Sequence, residues 1–312
     1  MSNSSFSTKL PNLQLAWDST SLGALKTCPR YYQLSIIEGY TGRTTNVHLA
    51  FGQHYHKALE RYDHARCEGA TFEEAQLEAV NQALSDTWDA ARNRPWDSEH
   101  PNKNRMTLVR SVVWYLEEFR NDPIETVKLK SGKPAVELSF RWATDYSSLG
   151  TGESFLYCGH LDRLGQFQGG TYVCDRKTSR HLVDQRFIDG FSPSNQFAGY
   201  CLSANLTFSV PVKGIIVDGA QIAVTFTRFH RGLIEYSTSQ LEEWYKGLGF
   251  WFAQAEFFAR QAYWPMNEMS CNNYGGCPFK GICSLPPEQR QQWLENSFTK
   301  RTWDPLQVRG DI

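Results

Sequence analysis

Two stretches of sequence decide the fold predicted for this chain: Gly159-His-Leu-Asp162 and Val173-Cys-Asp175-Arg-Lys177-Thr178. The second stretch continues a short apolar run, which indicates a buried strand. Side chains alternate between the two faces of a strand, so Asp175 and Lys177 project the same way. An acid and a base on one face of a buried strand are a candidate for catalysis, provided that a second carboxylate joins them.

Asp162 can be that second carboxylate if the two stretches form a hairpin. Strand-forming residues fill 155–164 and 171–177, and the turn dipeptide Gln168-Gly169 separates them. A hairpin folded there places Asp162 opposite Asp175. Two carboxylates can hold Mg2+ or Mn2+, which polarises a phosphate and lowers the pKa of an attacking water. Lys177 would position the water or stabilise the transition state.

Two predicted helices carry further polar residues of interest. His56 and Glu60 are four residues apart in the helical pattern of 49–67, so they share a face. Gln196 and Tyr200 are likewise one turn apart in a helix predicted over 193–205. Each feature also has a plain interpretation: a lone histidine is usually a surface or core residue, the second helix is amphipathic, and Asp-x-Lys at a strand end is often a solvated edge.

Taken in order, these segments resemble the motifs of a known family. The two strand stretches resemble the G-x-x-D and D-x-K-T motifs of the PD-(D/E)xK nuclease superfamily, in its RecB-like branch. Gly52-Gln-His-Tyr-His56 is similar to the G-x-x-x-H helix of that branch, and Gln196-Phe-Ala-Gly-Tyr200 to its Q-x-x-x-Y. The resemblance implies an α/β fold with a restriction-endonuclease-like core: a mixed sheet flanked by helices, with a helical N-terminal part and a C-terminal iron-sulfur cap.

The resemblance also implies the role of each site residue. The implied metal ligands are the side chains of His56, Asp162 and Asp175 and the backbone carbonyl of Arg176. The implied catalytic set is Asp162, Asp175, Lys177, Gln196 and Tyr200, where the last two would hold the lysine and the nucleic-acid backbone. Glu137 is a further carboxylate on a predicted strand, but glutamates on alternating strands usually face solvent, so it is not assigned to the site.

Three of the eight cysteines, Cys271, Cys277 and Cys283, lie at a regular spacing in a Gly/Pro-containing loop, which is typical of metal binding. The resemblance to RecB-branch iron-sulfur nucleases and CRISPR-associated adaptation nucleases implies Cys28 as the fourth ligand. Four thiolates suit a [4Fe-4S] cluster or structural Zn2+, and the resemblance favours the former. A disulfide is the remaining alternative. It is disfavoured because the other cysteines show no pattern typical of extracellular proteins. Those others are predicted to be buried: Cys67, Cys158, Cys174 and Cys201.

Composition limits the class of protein. Of the 312 residues, 41% are hydrophobic and 14% aromatic, which is enough for a sizeable core. The polar start lacks the apolar run of a signal peptide, and no apolar stretch is long enough to span a bilayer, so we expect a cytoplasmic protein without membrane contact. A formal net charge of −1 argues against bulk attraction to DNA. A local basic groove could bind DNA instead, although scattered charges of this kind are usually solvated surface. The residues that could supply it are Lys128, Lys130, Lys133, Arg163, Arg176, Lys177, Arg180 and Arg186.

We expect a single nuclease domain over 1–312 with three parts. A helical N-terminal part covers 20–130, a nuclease core sheet with its motif helix covers 131–235, and a C-terminal helix with a cysteine-rich cap covers 236–312. The remaining predicted elements are helices at 20–37, 71–92, 104–121 and 237–260 and strands at 135–142, 214–218 and 222–226. A Thr71-x-x-Glu74 capping box starts the second of these helices.

These features predict a Mg2+- or Mn2+-dependent deoxyribonuclease. Its expected action is that of an exonuclease on single-stranded DNA ends in recombination, repair or phage DNA processing, with a helicase or recombination protein as a further partner. The alternative is a non-catalytic DNA-binding or adaptor protein that retains the nuclease fold and the cluster. A complete metal-chelating set argues against this alternative, since such a set is costly to desolvate. A redox protein would leave the carboxylates and the lysine unexplained. Polarity of digestion, endonuclease action and oligomeric state stay open.

Overall fold

A computed structural model of the chain describes residues 4–43, 46–96, 98, 100–208 and 210–307. Close contacts group them into two compact units. The first unit draws its described residues from 1–44, 140–159 and 238–308, and the second from 45–139 and 160–237. Both units are discontinuous in sequence, because two long strands each contribute residues to both.

Helices and strands alternate along the chain, which gives a mixed α/β fold. The helices are α1 (Ser19–Thr27), α2 (Pro29–Tyr32), α3 (Val47–Cys67), α4 (Phe72–Asp86), α5 (Arg105–Glu118), α6 (Gln185–Asp189), α7 (Asn195–Thr207), α8 (Thr238–Gln261), α9 (Lys280–Cys283) and α10 (Pro287–Ser297). The strands are β1 (Ala16–Trp17), β2 (Tyr40–Gly42), β3 (Trp88–Asp89), β4 (Arg94–Pro95), β5 (Glu125–Thr126), β6 (Val136–Ser147), β7 (Ser154–Phe167), β8 (Gly170–Ser179), β9 (Val212–Ile222), β10 (Thr227–Glu235) and β11 (Phe298–Lys300).

The sheet of the second unit is mixed. Strand β8 pairs with β7 in antiparallel fashion and with β9 in parallel fashion, while β10 and β5 add antiparallel neighbours to β9 and β7. Helices α3 and α7 pack on β8, and α5 and α6 pack on β10. The predicted mixed sheet flanked by helices is confirmed for this unit.

The β7–β8 hairpin has the predicted turn and register. Gln168 and Gly169 have φ values of 47° and 71°, the left-handed conformation that both central residues of a tight hairpin turn of type I′ adopt. Pairing runs from Phe167–Gly170 to Arg163–Cys174. In this register Asp162 and Asp175 come next on their strands, so the hydrogen-bonded ladder ends immediately before the two carboxylates.

Helices α3, α4 and α5 share an apolar core in the second unit. Phe51, Leu59, Ala79 and Val112 are among its buried members. The predicted capping box is present, since the Thr71 hydroxyl accepts from the Glu74 backbone N–H and the Glu74 carboxylate accepts from that of Thr71. The predicted extension of this helix to residue 92 was wrong, because α4 ends at Asp86. The chain instead reverses into the β3–β4 hairpin, where Pro95 could not continue a helix.

The strand predicted over 222–226 was also wrong. Residues 223–226 form the turn between β9 and β10, which the Ala223 N–H closes by donating to the Phe226 carbonyl at 3.0 Å. The β-branched and aromatic composition of this stretch imitates a strand. The true partner strand, β10, follows from Thr227 and is only partly buried, so its sequence lacks an apolar alternation.

In the first unit, β1 pairs in parallel with the first part of β7, and β2 pairs with β11. The helix predicted over 20–37 is interrupted. Cys28 is extended, with φ −165° and ψ 118°, because a residue before proline is disfavoured in the helical region and Pro29 follows. Helix α8 matches its predicted range within one residue at each end. No helix in the described part of the chain is both long and apolar enough to cross a membrane.

Candidate active site

The residues predicted for catalysis come together in the second unit from four elements. His56 lies on α3, Asp162 on β7, Asp175 and Lys177 on β8, and Gln196 on α7. His56 Nδ1 is 3.2 Å from Asp162 Oδ2, and Lys177 Nζ is 2.7 Å from Asp175 Oδ2. Tyr200 joins through Gln196. The sequence motifs that are far apart in the chain therefore form one polar cluster.

Asp162 is held from two directions. Its Oδ2 accepts a hydrogen bond from the backbone N–H of Arg176 at 3.0 Å and faces the His56 imidazole. Burial would raise the pKa of Asp162, but His56, Lys177 and the Arg176 N–H stabilise the carboxylate more strongly, so the net pKa lies well below its usual range. Asp162 is therefore ionised at neutral pH.

The pKa of Asp175 is shifted in the opposite direction. It is 2% exposed, and burial followed by repulsion from Asp162 raises its pKa, although Lys177 opposes the shift. Asp175 Oδ2 accepts no well-oriented hydrogen bond despite its short contact with Lys177. A carboxylate has about four acceptor sites, so one ammonium contact leaves most of the acceptor capacity of this buried group unused. The site therefore favours a further cation beside Asp175.

Lys177 is fixed by the helix that carries Gln196 and Tyr200. Its ammonium donates to Gln196 Oε1 at 3.2 Å, and Gln196 Nε2 in turn donates to the Tyr200 hydroxyl at 2.8 Å. The Ser194 side chain caps α7. Burial would lower the pKa of Lys177, but Asp175 and Asp162 raise it more, so the net pKa is raised and the side chain is a cation.

The donor atoms suit a hard divalent cation, because such ions take carboxylate and carbonyl oxygens. Within the described ranges, however, no group of three or more His, Cys, Asp or Glu side chains is arranged to hold a metal ion. The candidate ligands engage protein partners instead, with His56 on Asp162 and Lys177 on Asp175. The ligand assignments for His56, Asp162, Asp175 and the Arg176 carbonyl stay predictions.

A buried charge network beside the site was missed from the sequence. Arg163 and Arg176 are 5% and 4% exposed and both pair with Asp63, so the protein itself neutralises much of the charge that was predicted to attract DNA. Asp63 lies seven residues after His56, two turns along the same face of α3. That spacing is the one sequence signal that could have found it. Glu137 lines a groove of about 830 Å3.

The four cysteines predicted as ligands lie in the first unit. Burial raises the pKa of Cys277, and the neighbouring Cys271 and Cys28 thiols raise it further. Burial also raises the pKa of Cys283, and the neighbouring Cys277 and Cys28 thiols raise it further. Cys28 Sγ also accepts a hydrogen bond from the Asn267 N–H at 3.3 Å. The thiols thus share one neighbourhood without forming a ready metal site, and the sulfur-ligand set stays a prediction.

All eight cysteines are free thiols. Three of the four predicted core cysteines are buried, as expected: Cys158, Cys174 and Cys201. Cys67 differs, because it is the last residue of α3 and is only half-buried at that helix end.

Comparison with known proteins identifies a family for this chain. The sequence model of the PD-(D/E)XK nuclease superfamily matches residues 17–284. Among curated proteins, none matches. The chain is similar to the crystal structure of a "Putative exonuclease" from Eubacterium rectale, with a TM-score of 0.47, 8% identity and coverage of 84% of this chain and 87% of that one. It is also similar to the crystal structure of SSO0001, with a TM-score of 0.30, 11% identity and coverage of 76% and 95%.

Proposed function

We propose that this chain, which belongs to the PD-(D/E)XK nuclease superfamily, is a Mg2+- or Mn2+-dependent DNA exonuclease of the RecB-like branch that acts on single-stranded ends. Family membership implies phosphodiester hydrolysis. The observation that carries the proposal is the cluster of His56, Asp162, Asp175 and Lys177, which are brought from three elements within contact distance. DNA from recombination, repair or phage processing is the proposed substrate.

The ligands proposed for the metal are the Asp162 and Asp175 carboxylates, His56 and the Arg176 carbonyl. Asp175 supports this assignment, since its carboxylate is 2% exposed and its contact with Lys177 leaves further acceptor capacity for a cation. A bound divalent ion would lower the pKa of the attacking water and offset charge on the phosphate. The protein holds the ionised Asp162 ready through the Arg176 N–H and thereby fixes one ligand before substrate arrives.

Lys177 acts as a cation rather than as a general base, because its pKa is raised and it is protonated at neutral pH. An ammonium has three donors. One is directed to Gln196 Oε1 and another toward Asp175, which leaves the third for a phosphate oxygen or the attacking water. Lys177 therefore stabilises negative charge that develops in the transition state.

A direct assay tests the proposal. Wild-type protein with Mn2+ should degrade end-labelled linear single-stranded DNA, leave covalently closed single-stranded circles intact, and lose activity in EDTA. Cleavage of the circles would make the protein an endonuclease. Binding of DNA without cleavage in either metal would favour the alternative, a DNA-binding or adaptor protein that retains the fold.

Gln196 offers a test of how Lys177 is held. Gln196→Leu removes the acceptor at 3.2 Å from the ammonium while it keeps the side-chain volume. We expect kcat to fall by about tenfold to a hundredfold, because a misplaced catalytic group loses transition-state stabilisation. Mn2+ affinity, measured by calorimetry without DNA, should change little.

The matched control is Gln185→Leu, which alters an exposed glutamine on α6. It should leave kcat unchanged. A Gln196→Leu protein with wild-type kcat would show that the lysine needs no positioning from α7.

We further propose that Cys28, Cys271, Cys277 and Cys283 hold a [4Fe-4S] cluster, with structural Zn2+ as the alternative. Asn267 contacts two of these thiols, since its N–H donates to Cys28 Sγ and its carbonyl accepts from Cys271 Sγ, and this closeness supports a common ligand set. The N–H donor to Cys28 Sγ also suits a thiolate, since hydrogen bonds to ligand sulfurs stabilise their negative charge.

A further inference from the structure

The β7–β8 ladder ends immediately before the two catalytic carboxylates, although β8 continues to pair with β9 at Asp175 and beyond. The last paired residues are Arg163 and Cys174. Beyond them, the Arg176 N–H donates to the Asp162 side chain rather than to the backbone of β7. Strand separation at this point sets the distance between Asp162 and Asp175. The pairing of β8 with β9 holds one strand here, and a side-chain contact between β7 and β8 would fix the spacing of the two.

Asp63 makes such a connection. Its Oδ2 is 2.6 Å from Arg176 Nη2, and its Oδ1 is 3.3 Å from Arg163 Nη1. Each of these arginines directly follows one catalytic carboxylate in the sequence. Asp63 is 3% exposed, so water does not screen the contacts. One buried carboxylate thus forms ion pairs with both strands, next to the residues that would hold the metal.

The same helix face also carries His56. Seven residues, or two turns, separate His56 from Asp63 on α3, so both point toward the strands. His56 contacts Asp162, and Asp63 contacts the arginines on either strand. Two contacts on one face fix both the position of the helix along β7 and its rotation. A shift of α3 at Asp63 would therefore move His56 away from Asp162.

We propose that Asp63 is a positioning residue of the active site, which sets the spacing of Asp162 and Asp175 and the placement of His56. This inference rests on the proposed metal-dependent nuclease. Asp63 acts through Arg163 and Arg176 and touches neither metal nor substrate. Partners of metal ligands in this indirect position commonly change metal affinity or activity by about tenfold to a hundredfold when they are removed.

Asp218 provides a matched control. It is likewise 3% exposed and pairs with an arginine, Arg231, at 3.0 Å. Arg231 lies on β10, and neither residue adjoins a catalytic carboxylate in the sequence. Loss of Asp63 removes the carboxylate that pairs with Arg176, and loss of Asp218 removes one of two carboxylates that pair with Arg231, the other being Asp122. Removal of a buried ion-pair partner destabilises the fold. Only the loss of Asp63 should change the site.

The experiment measures Mn2+ affinity by calorimetry without DNA, kcat on linear single-stranded DNA, and melting temperature. We expect Asp63→Asn to weaken Mn2+ binding by about tenfold or more and to lower kcat by a similar factor. Asp63→Glu, which keeps the charge, should recover part of both losses. Asp218→Asn should lower the melting temperature but keep wild-type Mn2+ affinity.

Arg163→Met gives a second route, in case Asp63→Asn does not fold. This substitution removes the ion pair between Asp63 and β7 and leaves Asp63 paired with Arg176 on β8. It too should weaken Mn2+ binding. Wild-type affinity in Arg163→Met or Asp63→Asn would overturn the inference, as would an equal loss in Asp218→Asn. Absence of Mn2+ binding and cleavage in the wild type would instead overturn the proposed function on which it rests.

Discussion

Asp175→Asn should lower metal-dependent cleavage by about a thousandfold or more, which is the largest effect expected from any single change in this chain. The amide keeps the shape of the side chain but removes the anionic oxygen that is proposed as a metal ligand. A metal contributes several kcal/mol of transition-state stabilisation, and each 1.36 kcal/mol is about tenfold in rate. The measurement is kcat on linear single-stranded DNA at saturating Mn2+.

The same substitution should not destabilise the fold. The pKa of Asp175 is raised from its ordinary 3.8, so the folded chain binds this proton more tightly than the unfolded chain does. The contribution of Asp175 to stability is then full below the unfolded pKa and falls as pH rises through the folded pKa. At neutral pH the ionised carboxylate is a cost to the fold. A neutral amide should give an equal or higher melting temperature.

Loss of function with retained or increased stability separates a catalytic carboxylate from a structural one. Asp218→Asn is the comparison, because that carboxylate is equally buried and pairs with Arg231 rather than with the catalytic Lys177. Its removal should lower the melting temperature while cleavage continues. Wild-type cleavage by Asp175→Asn would remove this residue from the active site.

Local patterns explain which parts of the fold could be predicted. The hairpin follows from a turn dipeptide between two strand-forming runs, and its register follows from the position of that turn. The position at which β9 ends could not be predicted from such local patterns. Residues 223–226 have strand-like composition but form a turn, and the true partner β10 is a partly buried strand with mixed polarity. Tertiary pairing, rather than propensity, decides such cases.

The candidate site shows the same division. His56, Gln196 and Tyr200 could be found because short motifs fix their positions relative to a glycine or to one another. The connection made by Asp63 joins residues about a hundred positions apart in the chain. Aspartates and arginines are common on surfaces, so composition gives no sign that these three are buried together. Only the spacing of Asp63 from His56 on α3 gave a local signal.

Cys28→Ala should remove the iron proposed for the first unit. Cys28 lies at the break between α1 and α2, where Pro29 forces an extended conformation and the thiol accepts from the Asn267 N–H. Without this ligand only three thiolates remain, so iron content should fall from about four atoms per chain to nearly none. The melting temperature should fall by about 10 °C or more, because metal binding by a structural site contributes to folding.

Limited proteolysis should show where the chain loosens after this loss. Residues 262–279 contain only short turns of helix, whereas the surrounding chain keeps an apolar cluster of Leu34, Tyr40, Phe279, Ile282 and Leu294. We therefore expect new cuts within 262–279 first, since segments with little regular structure open most easily. Cys67→Ala is the control: Cys67 is half-buried at the end of α3 in the second unit, so iron content and cutting should stay unchanged. A Cys28→Ala protein with full iron would show that another residue is the fourth ligand. A colourless wild-type protein with one tightly bound zinc would show that the four thiols hold structural zinc instead of the cluster.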